Sequence, residues 1–400
     1  MDVHAPTDHP GHADWARTRS AWQTWFLKQA LPLWLDRGVD RQQGGFFEKI
    51  DAQGHPIEEP RRTRVVARQL HVISAAPSLG GQPACAELLH HGLDFLLTRL
   101  RCPDGTFATS FDVRTGVRNE AFDLYEQAFA LFALASVYQA DRRAHPGLPE
   151  LALNTLHRMQ AGWQHPLGGF HESRPPSAPL RSNPHMHLLE AALQWHRASQ
   201  GQISTWGELA DDIVALALDH LLDRHSGLVT EWFDLDWAPL AGDRGTDVEP
   251  GHQFEWGWLL MRWTQARPDH PRRSEALIAA SRMIDLGEQL GVDPVRGVAI
   301  NGIGTDGHWR DTNAKLWPQT ERIKAWVTRA ELASSPDEAE QALSRATSAC
   351  LALMRYFNHP IAGAWHESMD KEGRWQPQAS RASSLYHIVY ALETACELRT

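Results

Sequence analysis

The stretch 104-DGTFATSFDVRTGVRNEAFDLYEQAFALFALASVY-138 reads as a glycine-bearing turn with strand-like alternation, followed by a helix with apolar residues at i, i+3, i+4 and i+7. The turn around Gly105 is not unique. Similar stretches occur as GGFFEKIDAQG from Gly44, LGGFHES around Gly168, SGLVTEWFD around Gly227, RGVAINGI around Gly297 and AGAWHESMDKEG around Gly363, at intervals of 59 to 70 residues. Each interval holds two helical patterns, such as ACAELLHHGLDFLLTRL ahead of Gly105. The chain is therefore expected to contain about twelve helices in six hairpins, none able to bury its apolar face alone. Closing the hairpins into a ring satisfies all of them, which predicts an all-α (α/α)6 barrel with short β-hairpin-like turns at one mouth. An open α-solenoid is the alternative.

Composition bounds the rest. The 400 residues are 42% hydrophobic, enough for a large core, and are expected to form a single barrel domain over 15–400 after a flexible segment, 1–14. The net charge of −10 comes from mixed acids and bases without a basic run, which argues against nucleic-acid and membrane partners. The N-terminus lacks the pattern of a signal peptide and no apolar run approaches membrane-spanning length, so a cytoplasmic protein, monomer or homodimer, is expected. Cys85, Cys102, Cys350 and Cys396 stand singly, suiting neither a zinc cage nor a disulfide framework.

In such a barrel the turn of each repeat leads into an inner helix, so residues near the six helix starts should meet at one mouth. At 19 to 25 residues beyond the turn glycines stand Arg68, Tyr125, His187, His252, Trp317 and His387, a polar or aromatic group in every repeat. His252 is followed at i+3 by Glu255, and a carboxylate beside an imidazole makes a proton-transfer group near neutral pH. His387 offers a second such group. In RSNPHMHLLEAAL, Asn183 is placed to cap a helix as well as to bind a ligand. Arg68, Gln69, Tyr125, Lys315, Trp317 and Gln319 read as a hydroxyl-binding set with an aromatic platform. Tryptophan, with 17 copies against five tyrosines, suits a carbohydrate cleft, although most copies belong to the core. No H-E-x-x-H, C-x-x-C or clustered carboxylate motif marks a metal site.

The motifs ARQ at Arg68, NPHMHLLEA, PGHQFEW, KLWPQTE and SLYHI resemble the N-acylglucosamine 2-epimerase superfamily, from about residue 15 to the C-terminus. The resemblance implies the same barrel, with His252 and His387 as the acid/base pair and Glu255 orienting His252. It implies sugar contacts from Arg68, Tyr125, Asn183, His187 and Trp317, and no metal or nicotinamide cofactor. The serine-rich stretch before His387 looks most like the mannose isomerase branch, which implies D-mannose to D-fructose conversion through a cis-enediolate. A 2-epimerase shares that intermediate. An inverting glycosidase, needing two carboxylates roughly 6.5–9.5 Å apart, and a non-catalytic sugar-binding protein are the competing classes.

Overall fold

The computed structural model describes residues 10–81 and 85–398. Residues 1–9 of the expected leader lie outside them, and the first helix already begins at Pro10. All six turn glycines, Gly44, Gly105, Gly168, Gly227, Gly297 and Gly363, have φ between 71° and 102°. That is the region a side chain disfavours, which accounts for a glycine at each turn.

In chain order the helices are α1 (Pro10–Trp25), extended through a π turn into α2 (Leu31–Arg37), α3 (Thr63–Ala75), α4 (Cys85–Phe95), α5 (Leu124–Ala140), α6 (Leu148–Trp163), α7 (Ser182–Ala198), α8 (Ser204–Leu216), α9 (Pro250–Ala266), α10 (Arg273–Gly291), α11 (Trp317–Glu331), α12 (Pro336–Tyr356) and α13 (Ala382–Glu397). Helices α3, α5, α7, α9, α11 and α13 each pack on the next, and α13 packs back on α3. The ring closes, giving the expected (α/α)6 barrel. Inner α5 is buried on every side from Ala128 to Val137, as an apolar helix must be. Outer α12 buries one stripe, Ala342, Ala346, Ala349, Cys350, Leu353 and Tyr356, and leaves its other face to solvent. Among the described residues no helix is long and apolar enough to cross a membrane, and Cys102, Cys350 and Cys396 are free thiols.

The hairpins between outer and inner helices gather at one end of the barrel. Gln127 in α5 holds the Phe107 backbone at both N–H and C=O, at 2.8 and 2.7 Å. Gln253 in α9 does the same to Val229, and Gln319 in α11 to Ala299. Gln319 is therefore corrected from an expected sugar ligand to a strand clamp, because its amide is saturated by backbone groups. Strands ahead of the inner helices also pair with the next hairpin, as in Lys315↔Ser368 and, across the seam of the ring, Lys49↔Arg381.

Candidate active site

A cavity of about 480 Å³ opens at the hairpin mouth. Arg68, Tyr125, Asn183, His187, His252, Glu255, Trp317 and His387 all line it, brought from α3, α5, α7, α9, α11 and α13. Pro250 starts α9, and at Gly251 a Cβ would stand 2.5 Å from the Trp317 ring, so only glycine lets that ring approach. Trp317 lies 5.0 Å from the His252 ring and 5.8 Å from the His387 ring, tilted 37° to both. The two histidines thus face one aromatic plate.

His252 is oriented by a residue that its own helix does not supply. Its Nδ1 lies 2.9 and 3.0 Å from the two carboxylate oxygens of Glu231, on the hairpin before α9. This corrects the expected pairing with Glu255, whose Oε1 lies instead 3.8 Å from His187 Nδ1. Burial disfavours a charged His252, but the carboxylates of Glu231 and Glu249 outweigh it and hold the ring's pKa up at about 10. Asn183 also departs from expectation: α7 begins at Ser182 after Arg181, so Asn183 lies inside the first turn rather than capping it. Its Nδ2 is 3.3 Å from His252 Nε2, a contact that suits a neutral ring. With the imidazolium the amide must turn over, so that Oδ1, which has no other partner, accepts from Nε2–H.

His387 has the opposite setting. Nδ1 donates to Glu321 Oε1 at 2.8 Å, which leaves Nε2 with its lone pair. Burial, reinforced by the positive charges of Arg68 and Lys324, pushes its pKa down to about 4 against the pull of Glu321. Lys324 is fully buried, with Nζ 2.5 Å from Glu321 Oε2 and 3.7 Å above the Trp258 ring. His187, its Nδ1 3.0 Å from Glu190 Oε2, is also brought down to about 4 by burial. Glu255 is pushed well above the ordinary carboxylate range by burial and by Glu321 and Glu190 nearby. Arg68 donates to the Tyr125 hydroxyl at 2.8 Å and lies 4.2 Å over the Phe129 ring.

Among the described residues three histidine–glutamate groups come close enough to share a cation: His187 with Glu190 and Glu255, His252 with Glu231 and Glu249, and His387 with Glu255 and Glu321. His187 and Glu190 share the i, i+3 spacing of His252 and Glu255, whereas the other carboxylate contacts come from elsewhere in the chain. In each, one carboxylate is already bonded to imidazole Nδ1, and Lys324 lends two of them a positive charge that opposes another cation.

Sequence reasoning missed Glu190, Glu231, Glu321 and Lys324. Two signals were available. Glu321 and Lys324 follow Trp317 at i+4 and i+7, on one helix face. Glu231 stands four residues after its turn glycine, as Glu367 does after Gly363.

The family model described as N-acylglucosamine 2-epimerase (GlcNAc 2-epimerase) matches residues 45–391. A mannose-6-phosphate isomerase from Rhizobium meliloti (strain 1021) is 37% identical over 375 residues, covering 92% of this chain and 94% of that one. A D-mannose isomerase from Thermobifida fusca is 28% identical over 385 residues, covering 86% and 89%. The solved structure of cellobiose 2-epimerase from Spirochaeta thermophila DSM 6192 matches with a TM-score of 0.83 at 22% identity, over 97% of this chain and 98% of that one.

Proposed function

This chain belongs to the N-acylglucosamine 2-epimerase family, as its motifs imply, and from that premise we propose that it is an aldose–ketose isomerase of mannose-configured sugars, with D-mannose and D-fructose as the parent pair. The observation that carries this reading is the pair of imidazoles that face the Trp317 plate, each held at Nδ1 by a glutamate, with nearby carboxylates raising the pKa of His252 and burial lowering that of His387. Two relatives carry the names mannose-6-phosphate isomerase and D-mannose isomerase, which supports the mannose configuration.

In the open-chain sugar, His387 Nε2 takes the C2 proton. The C2–H electrons form the C1–C2 double bond while the C1 carbonyl opens to an oxyanion, which receives the Nε2 proton of His252. Cationic Arg68, beside Tyr125, stabilises the charge that develops on the enediolate oxygens. His252 recovers a proton from O2 as C2 becomes the carbonyl, and His387 returns its proton to C1. Every step is a proton transfer, so neither a metal nor a nicotinamide cofactor enters the proposed mechanism. A glycosidase would need two carboxylates to meet a glycosidic bond, whereas the groups that face the Trp317 plate are imidazoles, and Asp311 and Glu367 on the cavity wall accept from neighbouring side chains.

A second reading, 2-epimerisation, uses the same pair of histidines and is supported by the description of the matching family as N-acylglucosamine 2-epimerase. An imidazolium facing a neutral imidazole is also the donor and acceptor pair that inversion at C2 requires. The test is D-mannose in D₂O with EDTA present, followed by NMR. Fructose carrying deuterium at C1 is the expected product, with some protium carried over from C2. Glucose deuterated at C2 as the main product would replace the isomerase reading by the epimerase one, and the absence of any product would sink both.

A further inference from the structure

Two of the repeats share one device at the start of their inner helices, a glutamate four residues after the turn glycine that holds an arginine, and the fifth and sixth repeats carry a cation at the same place without that neutralisation. In the first repeat Glu48 accepts from the backbone N–H of Arg62 at 2.9 Å and from its guanidinium Nε at 2.7 Å. In the third, Glu172 accepts from the Arg181 N–H at 2.6 Å and from its Nε at 2.5 Å. These glutamates fix the chain and neutralise the arginine that it carries.

In the sixth repeat Glu367 still accepts from the Arg381 N–H, at 2.7 Å. Its remaining capacity, however, goes to Trp365 Nε1 at 2.7 Å and the Ser384 hydroxyl at 2.8 Å. The Arg381 guanidinium has no hydrogen bond or ion pair among the described residues, and it lines the cavity. In the fifth repeat the glutamate is replaced by Asn301, whose Oδ1 accepts from the Lys315 N–H at 2.9 Å but brings no charge. The Lys315 ammonium likewise has no such partner among the described residues and lines the same cavity.

The two cations sit on neighbouring segments. Lys315 pairs across the strands with Ser368, the next residue after the Glu367 that holds Arg381, and Ser368 lines the cavity as well. The carboxylates on this wall are engaged elsewhere. Asp311 accepts from Asn301 Nδ2 at 2.9 Å and from Asn313 Nδ2 at 2.8 Å, and Glu249 shares its field between His252 and Lys315 without an ion pair to the lysine.

We infer that Lys315 and Arg381 form an anion subsite at the cavity rim, which takes a phosphate-class group on the end of the sugar remote from C1 and C2. The inference rests on reading the cavity as a sugar site. Solvated rim cations are common. What separates these two is that the equivalent arginines of the first and third repeats are neutralised, while here the partner has been removed once and diverted once. Charge-assisted hydrogen bonds to a phosphate supply binding energy far from the reacting carbons.

The test compares D-mannose 6-phosphate with D-mannose in the wild type, Lys315→Gln and Arg381→Gln, by turnover and by calorimetric binding. The wild type is expected to favour the phosphorylated sugar, and each substitution to reduce that preference by about tenfold. Equal binding of the two sugars by the wild type, or an equal loss for both in the variants, would overturn the subsite. Calorimetry separates this result from failure of the isomerase reading: tight, Arg381-dependent binding of the phosphorylated sugar without turnover supports the subsite while refuting the proposed reaction.

Discussion

His252 and His387 each hand Nδ1 to a glutamate, yet the two glutamates keep different company. Glu321 shares its charge with Lys324 at 2.5 Å, and Arg68 adds to the positive field at His387. Glu231 is joined by a second carboxylate, Glu249, in raising the pKa of His252. Activity then needs His387 deprotonated and His252 protonated, so the rate should rise through about pH 4 and fall through about pH 10. Replacing Glu231 by Gln removes the main charge that raises His252. The alkaline limb should move toward the ordinary histidine value of about 6.5, and kcat/KM at pH 8 should fall by about 10–100-fold, partly recovered near pH 6. A pH–rate profile identical to that of the wild type would show that Glu231 does not set the charge of His252. The sequence pointed to the cavity-lining histidines because they recur at similar offsets from the turns. It pointed to the wrong carboxylate because an i, i+3 glutamate shares a helix face with His252, whereas the residue that reaches Nδ1 arrives from the preceding hairpin. Such a contact leaves no spacing from His252 to read, and its cue is the offset of Glu231 from its own turn glycine.

At the scale of single elements, glycine at each turn and the apolar stripes of the helices were legible, because backbone conformation and burial act on neighbouring residues. The hairpins at the turns were legible too, but the bounds of their two- or three-residue strands and the pairing with neighbouring repeats were not, since such short runs carry no periodicity of their own and are held by other elements. The glutamine clamps are what hold several of them, and they explain why Gln319 misled: a polar residue near a helix start reads equally well as a ligand or as a brace. Gln127→Leu tests the brace. It leaves the Phe107 N–H and C=O buried without the partners they now have at 2.8 and 2.7 Å, and each unsatisfied group costs roughly 1–3 kcal/mol. Stability measured by urea denaturation should fall by about 2–5 kcal/mol. A change below about 0.5 kcal/mol, the range of an ordinary surface substitution, would mean that the hairpin does not depend on the clamp.

At the scale of the whole molecule, the question is whether the six hairpins form one cooperative unit. The count of six turns suggested closure, but the seam itself joins the two ends of the chain, where no sequence pattern connects them. Lys49 pairs with Arg381, Ala382 N–H donates to Glu48 O at 2.9 Å, and Gln69 Nε2 donates to Ala382 O at 2.7 Å. Leu385, Ile388, Val389 and Leu392 of α13 are fully buried. At roughly 1.5–3 kcal/mol each, they contribute about 6–12 kcal/mol, on the scale of the net stability of an entire domain, about 5–15 kcal/mol. In an open solenoid the last helix is a cap, and its loss would strip one neighbour while the rest stayed folded. In a closed ring its loss exposes the inner faces of both α11 and α3. A chain ending at Ala379 should therefore lose its cooperative thermal transition by circular dichroism, whereas His387→Ala, which removes only the base, should melt cooperatively and fail to turn over sugar. A sharp transition in the shortened chain, close to that of the full one, would show that stability propagates from hairpin to hairpin and that the seam adds little.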